Sequence, residues 1–82
     1  MSTDLFQVIS ENILKVLPDV DARLITPERQ LKELGANSID RMEIVMGTME
    51  DLGINVPVTE LSQAKDIGSL LGIFQRHFAQ RS

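Results

Sequence analysis

The chain has 82 residues, 43% hydrophobic and 24% charged, which suits one small globular domain and leaves no room for a second. A chain this short buries only about 60% of the surface its unfolded form exposes, so it has little material for a deep, elaborate active site. Zero cysteines exclude disulfides, thiolate nucleophiles, zinc–thiolate sites and iron–sulfur ligation; one histidine makes no metal cluster; and a formal net charge of −4 argues against nucleic acid and for partners with basic surfaces.

The N-terminal Met-Ser-Thr-Asp-Leu-Phe lacks a basic segment followed by an apolar run, and nowhere do about 18 apolar residues follow one another, so the expectation is a soluble, cytoplasmic protein with no membrane association. Leu5, Ile9 and Ile13, backed by Leu14, Val16 and Leu17, recur at helical spacing and predict a first helix. Ser2, Thr3 and Asp4 are its candidate caps, and Pro18 and Asp19 end it. Residues 18 to 37 read as a long loop with apolar anchors at Leu24, Ile25, Leu31 and Leu34 and a short capped helical turn at Thr26-Pro27-Glu28.

After Gly35, Asn37 followed three residues later by Asp40 gives a helix-start signal of capping-box type. Helix two then runs to about Leu52 and closes at Gly53. Val56-Pro57-Val58-Thr59-Glu60 predicts a turn into a short third helix near residues 59 to 64, with Thr59 as cap. Asp66 caps a fourth helix whose Ile67, Leu70, Leu71, Phe74 and Phe78 share one face. His77 and the arginines close that helix favourably against its dipole. The expected fold is all-α: a small bundle of three longer helices and one short third helix, with a long loop between helices one and two. Such a bundle discloses no built-in pocket in its sequence, so its function is sought on the surface.

On a helical wheel, helix two separates into sectors. Ile44, Val45, Thr48 and Leu52 suit the core; Asp40, Glu43, Gly47, Glu50 and Asp51 gather on another side; Ile39, Met42, Met46 and Met49 form a further apolar stripe. A Met-rich edge beside acids, with Ser38 displayed at the helix start, suits a docking surface shared by several partners. The plainer alternatives are a buried stripe, a solvated acidic face, and a serine that only helps to start a helix. The residues alone leave that choice open. Catalysis by the chain itself is not expected, because a serine nucleophile needs a base and an orienting carboxylate, and His77 is far from Ser38 in sequence. Glu43 and Glu50 are exposed acids rather than a catalytic pair.

The stretch Leu31-Lys32-Glu33-Leu34-Gly35-Ala36-Asn37-Ser38-Ile39-Asp40, followed by Met42-Glu43-Ile44-Val45, resembles the attachment motif of acyl carrier proteins. The resemblance extends over almost the whole chain in helix order, loop length and acidity. It implies that Ser38 receives 4′-phosphopantetheine from coenzyme A through a phosphopantetheinyl transferase, and that the prosthetic arm supplies the thiol this cysteine-free chain lacks. It also implies that partners read helix two, with Asp40, Glu43 and Glu50 facing basic residues and Ile39, Met42 and Met46 filling apolar depressions.

This sequence departs from many carriers in neutral Asn37 before the serine, in Met49 at a position often acidic, and in Arg41, which interrupts the acidic patch. The form Gly35-Ala36-Asn37-Ser38-Ile39-Asp40-Arg41 is similar to discrete carriers of bacterial polyketide pathways, especially donor carriers of β-branching cassettes. That likeness implies an acyltransferase or decarboxylase loading enzyme, acetyl or propionyl as cargo, and a hydroxymethylglutaryl-synthase-like or ketosynthase client. A monomer is the simplest expectation for a shuttle. The alternatives are an aminoacyl or peptidyl carrier, and an unmodified helical adaptor that binds one partner through helix two.

Overall fold

The computed structural model describes residues 4–80, and the regular elements among them are all helical. Helix α1 spans Leu5–Val16, α2 Ser38–Leu52, α3 Val58–Leu61 and α4 Ile67–Gln80. The expected all-α bundle with a short third helix is what forms; Ser2, Thr3 and Arg81 lie outside the described residues. Helix α1 starts on Asp4, whose carboxylate accepts the Gln7 N–H at 3.2 Å. It stops where the Leu17 N–H reaches the Ile13 carbonyl at 2.7 Å, just before Pro18, which cannot continue a helical ladder.

Helix α2 is fixed at both ends by local chemistry. The Asp40 N–H donates to Asn37 Oδ1 at 2.8 Å while the Asn37 N–H donates to Asp40 Oδ2 at 3.2 Å, a reciprocal cap that pairs two backbone donors. At the other end Gly53 takes φ 68°, where a side chain would be strained, and its N–H returns to the Glu50 carbonyl at 3.2 Å.

The segment between α1 and α2 holds more structure than a loop reading gives it. Two 3₁₀ turns form, at Ala22–Leu24 and Leu31–Leu34, the first capped by Asp21, which accepts the Arg23 N–H at 2.9 Å. The helical turn expected at Thr26-Pro27-Glu28 is instead one isolated turn, closed by the Arg29 N–H on the Thr26 carbonyl at 3.1 Å. Its carbonyls serve α4: Pro27 accepts the Gly68 N–H and Arg29 accepts the Ile67 N–H, each at 2.9 Å. Those two donors belong to the first turn of α4, where no intrahelical partner exists, so a tertiary contact satisfies them and docks the loop. Gly68 makes the approach possible, since a Cβ there would meet the Pro27 carbonyl oxygen at 3.2 Å.

The third helix also differs from expectation. It covers Val58–Leu61 rather than 59 to 64, and Thr59 lies inside it rather than capping it. Pro57 lacks an N–H but keeps its carbonyl, which accepts the Glu60 and Leu61 N–H groups at 3.0 and 3.2 Å and starts the helix one residue early. After Leu61 the bonds tighten to three-residue spacing, with Gln63 donating to Glu60 and Ala64 to Leu61 at 3.1 Å each. Asp66 then caps α4 as expected: its carboxylate accepts the Ser69 N–H at 2.8 Å, and that backbone bond is the main cause holding its pKa below the ordinary range.

The core draws on three long helices and on the connections between them. Ile9 and Ile13 of α1, Ile44, Val45, Thr48 and Leu52 of α2, and Ile67, Leu70 and Phe74 of α4 are buried, with Ile25, Leu34, Ala36 and Val56 added from the linking segments. Leu71 and Phe78 are only half-buried against it. The buried Thr48 hydroxyl is satisfied by the Ile44 carbonyl at 2.8 Å. Gly47 belongs to the α1 contact rather than to an acidic face, since a Cβ there would fall on the Asn12 amide oxygen. Asn12, buried, donates from Nδ2 to the Val8 carbonyl at 2.9 Å and to Asp51 Oδ2 at 3.0 Å, which ties Asp51 to α1 as well.

Helix α3 is held to α4 through Glu60, whose two oxygens lie 2.6 Å from Arg76 Nη2 and 2.9 Å from His77 Nε2. His77 is thus a half-buried partner of α3 as well as a residue near a helix end. The Arg76 guanidinium, with His77 behind it, holds the Glu60 carboxyl below its ordinary value of 4.5. A depressed folded pKa contributes stability in full above the unfolded value, and that contribution is lost as pH falls from about 4.5 through the folded value. Melts followed by circular dichroism at stepped pH are therefore expected to show a steeper acid decline below that point for the native chain than for Glu60→Gln; superimposable profiles would disprove the tether. Asn37→Ala removes one half of the α2 cap and is expected to cost about 1 kcal/mol, a fall of roughly 4–8 °C in Tm, with faster amide exchange in the first turn of α2. An unchanged Tm would show that the cap does not set the start of α2.

Candidate functional site

Ser38 is the first residue of α2 and is exposed, two positions after buried Ala36. Gly35, at φ 98°, turns the chain out of the second 3₁₀ turn, Ala36 anchors it to the core, and the Asn37–Asp40 cap starts the helix. The hydroxyl therefore stands at the positive end of a 15-residue helix, where an attached anion is favoured. Arg41, one turn on, donates from Nη2 to Ser38 Oγ at 3.3 Å. A catalytic base is not part of this arrangement: the single imidazole is on α4, bonded to Glu60.

Helix α2 divides its apolar residues between inside and outside. Ile44, Val45, Thr48 and Leu52 face inward as their spacing predicts, whereas Ile39, Met42 and Met46 remain 69%, 46% and 56% exposed. Exposed Glu43 and Glu50 share the outer surface with them. The stripe does not continue to Met49, which is half-buried against the core and accepts the Val56 N–H on its sulfur at 3.4 Å. Neither a wholly buried nor a wholly exposed stripe describes the helix. Asp40 is half-buried, with its carboxylate turned to the Asn37 N–H, which makes it a capping residue as well as a candidate contact.

A cleft of about 400 Å³ opens beside Ser38, where sequence reading found no pocket. Arg41, Met42 and Val45 of α2 and Val58 and Leu61 of α3 line it, with Leu31 and Leu70 adding apolar surface. Lys32, Lys65 and Asp66 also line it, so three of the eight Lys and Arg side chains of this acidic chain border the cleft. The signal available in sequence was the three-residue interval between Ser38 and Arg41, which places both on one face. Lys32 and Lys65 come from separate connecting segments and share no periodicity with α2. Among the described residues no cluster of acids and histidine is arranged to hold a metal ion, and no helix is long and apolar enough to cross a membrane.

Comparison with known proteins bears on this arrangement. The family described as a phosphopantetheine attachment site matches residues 7–74. The polyketide biosynthesis acyl-carrier-protein AcpK of Bacillus subtilis strain 168 is 48% identical over 66 residues, 80% of either chain. The acyl carrier protein of Helicobacter pylori strain G27 is 32% identical over 69 residues, covering 83% of this chain and 82% of that one. Among solved structures, a chain of the crystal structure of the curacin biosynthetic pathway HMG synthase in complex with acetyl donor-ACP superposes with a TM-score of 0.76 at 37% identity, over 85% of this chain and 90% of that one. With an exposed serine opening a capped second helix, these matches place the chain in the phosphopantetheine attachment family, among the acyl carrier proteins, non-enzymatic carriers that bear a covalent 4′-phosphopantetheine.

Proposed function

We propose that Ser38 is the attachment point and that the chain works as one carrier domain presenting short acyl groups to enzymes of a polyketide pathway. The observation that carries this reading is the exposed Ser38 hydroxyl at the first position of α2, beside the exposed Ile39, Met42 and Met46. In the modification step Ser38 Oγ forms a bond to phosphorus in the pyrophosphate of coenzyme A, the nucleotide bisphosphate leaves, and the hydroxyl proton passes to a base on the transferase. The arm, once present, supplies the thiol that holds an acyl group as a thioester. The chain's own residues display the site, favour its phosphate through the helix N-terminus, and offer partners a surface.

That surface combines Ile39, Met42 and Met46 with Asp40, Glu43 and Glu50. Met side chains adapt to differently shaped depressions, and the acids speed encounter with basic partners and help select them. The likeness to AcpK and to the structure containing an acetyl donor-ACP supports a narrower assignment: acetyl or propionyl donation to a hydroxymethylglutaryl-synthase-like enzyme, after loading by an acyltransferase or decarboxylase.

Intact mass before and after incubation with coenzyme A, magnesium and a broad-specificity phosphopantetheinyl transferase tests the attachment. The native chain is expected to gain one phosphopantetheine unit, or to arrive with it, and Ser38→Ala to gain none; a modified Ser38→Ala would refute the assignment. For the client, acetyl transfer to a hydroxymethylglutaryl-synthase-like enzyme is expected to be faster from this carrier than from a fatty-acid carrier. Met42→Ala with Met46→Ala should weaken that use about tenfold, equivalent to about 1.4 kcal/mol. Equal use of the two carriers would count against a specialised donor.

A further inference from the structure

Arg41 stands out electrostatically. It is half-buried in a chain of net charge −4, yet among the described residues no carboxylate lies within ion-pair distance of it, and its hydrogen-bond partner is Ser38 Oγ at 3.3 Å. The neighbouring Asp40 carboxylate is turned to the Asn37 N–H and does not neutralise it. A cation held one helical turn from a hydroxyl, with no acid in ion-pair contact, is incompletely matched until negative charge arrives at that hydroxyl.

We infer that Arg41 is a positioning residue for the prosthetic arm, its guanidinium pairing with the phosphodiester on Ser38 and holding the start of the arm at the mouth of the α2/α3 cleft. The inference rests on the Ser38 reading above. Guanidinium suits this role because its planar fork of donors can engage two phosphate oxygens at once, which an ammonium cannot reproduce. The cleft wall supports the direction: Arg41 lines it together with Ser38, Met42 and Val58, so an arm held by Arg41 starts beside apolar surface instead of in open solvent. Lys32 and Lys65 line the same cleft without a contact to Ser38 in this structure; with Asp66 also in the lining, they leave its charge balance positive.

Phosphorus-31 NMR on the modified protein reads this contact without reference to acyl transfer. The native chain, Arg41→Gln and Arg41→Lys are each converted to the arm-bearing form, with completeness checked by intact mass, and the phosphodiester resonance and its relaxation are measured at low and high salt. In the native chain the phosphorus is expected to relax as a group tumbling with the protein, and its resonance to move with salt as the pair is screened. Arg41→Gln should shift the resonance, make it relax as a mobile chain and weaken the salt response, and Arg41→Lys should restore only part of the native behaviour. Identical resonances and relaxation in the native chain and Arg41→Gln would overturn the inference while leaving the attachment intact. Failure of the native chain to take up the arm would instead remove the Ser38 reading, and this one with it.

Discussion

The pair of hydrogen bonds exchanged between Asn37 and Asp40 is the constraint on which the rest of the molecule depends. It fixes the residue at which α2 begins, and with it the one position where a side chain is both helical and terminal. Buried Ala36 on one side and buried Ile44 on the other anchor the segment to the core, so Ser38 is exposed without being loose. Gly35 completes the arrangement, because only a residue tolerant of φ 98° can turn the chain from the second 3₁₀ turn into the cap.

Helix α2 then carries two apolar faces with different fates. The face containing Ile44, Val45, Thr48 and Leu52 is closed by α1 and the core, and Gly47 lets α1 come close enough for Asn12 to bridge to Asp51. The face containing Ile39, Met42 and Met46 is left in water. Keeping three apolar side chains exposed on one helix forgoes burial that would stabilise a small domain with little core to spare.

Legibility in the sequence followed the physics of each segment. The ends of α2 and the cap of α4 were readable because Asn37, Asp40, Gly53 and Asp66 act locally, through bonds to residues within four positions. The inward face of α2 was readable from periodicity. The turn at Thr26–Arg29 and the start of α3 were misread because their partners are distant or lack a side-chain signal: the first is shaped by donors from Ile67 and Gly68, the second by a backbone carbonyl of Pro57. Met49 was misplaced for a related reason, since only the path of the chain after Gly53 brings the Val56 N–H to its sulfur. The cleft beside Ser38 is built from four separate segments, and no single stretch of sequence encodes it.

Two departures from the carrier motif, neutral Asn37 and basic Arg41, fall in the first turn of α2. Residues 37 and 41 are four apart, and the Arg41 N–H is bonded to the Asn37 carbonyl at 2.9 Å, while the Asn37 side chain turns to the Asp40 N–H and the Arg41 side chain to Ser38 Oγ. The neutral amide of Asn37 brings no carboxylate to that turn. Asp40, the remaining acid of that turn, is occupied by the cap. Arg41 keeps its hydrogen bond to Ser38 Oγ with no ion pair to a neighbour in that turn. Asp40 and Arg41 thus divide the first turn between them: the acid closes the helix start, and the guanidinium is left to the hydroxyl that opens it.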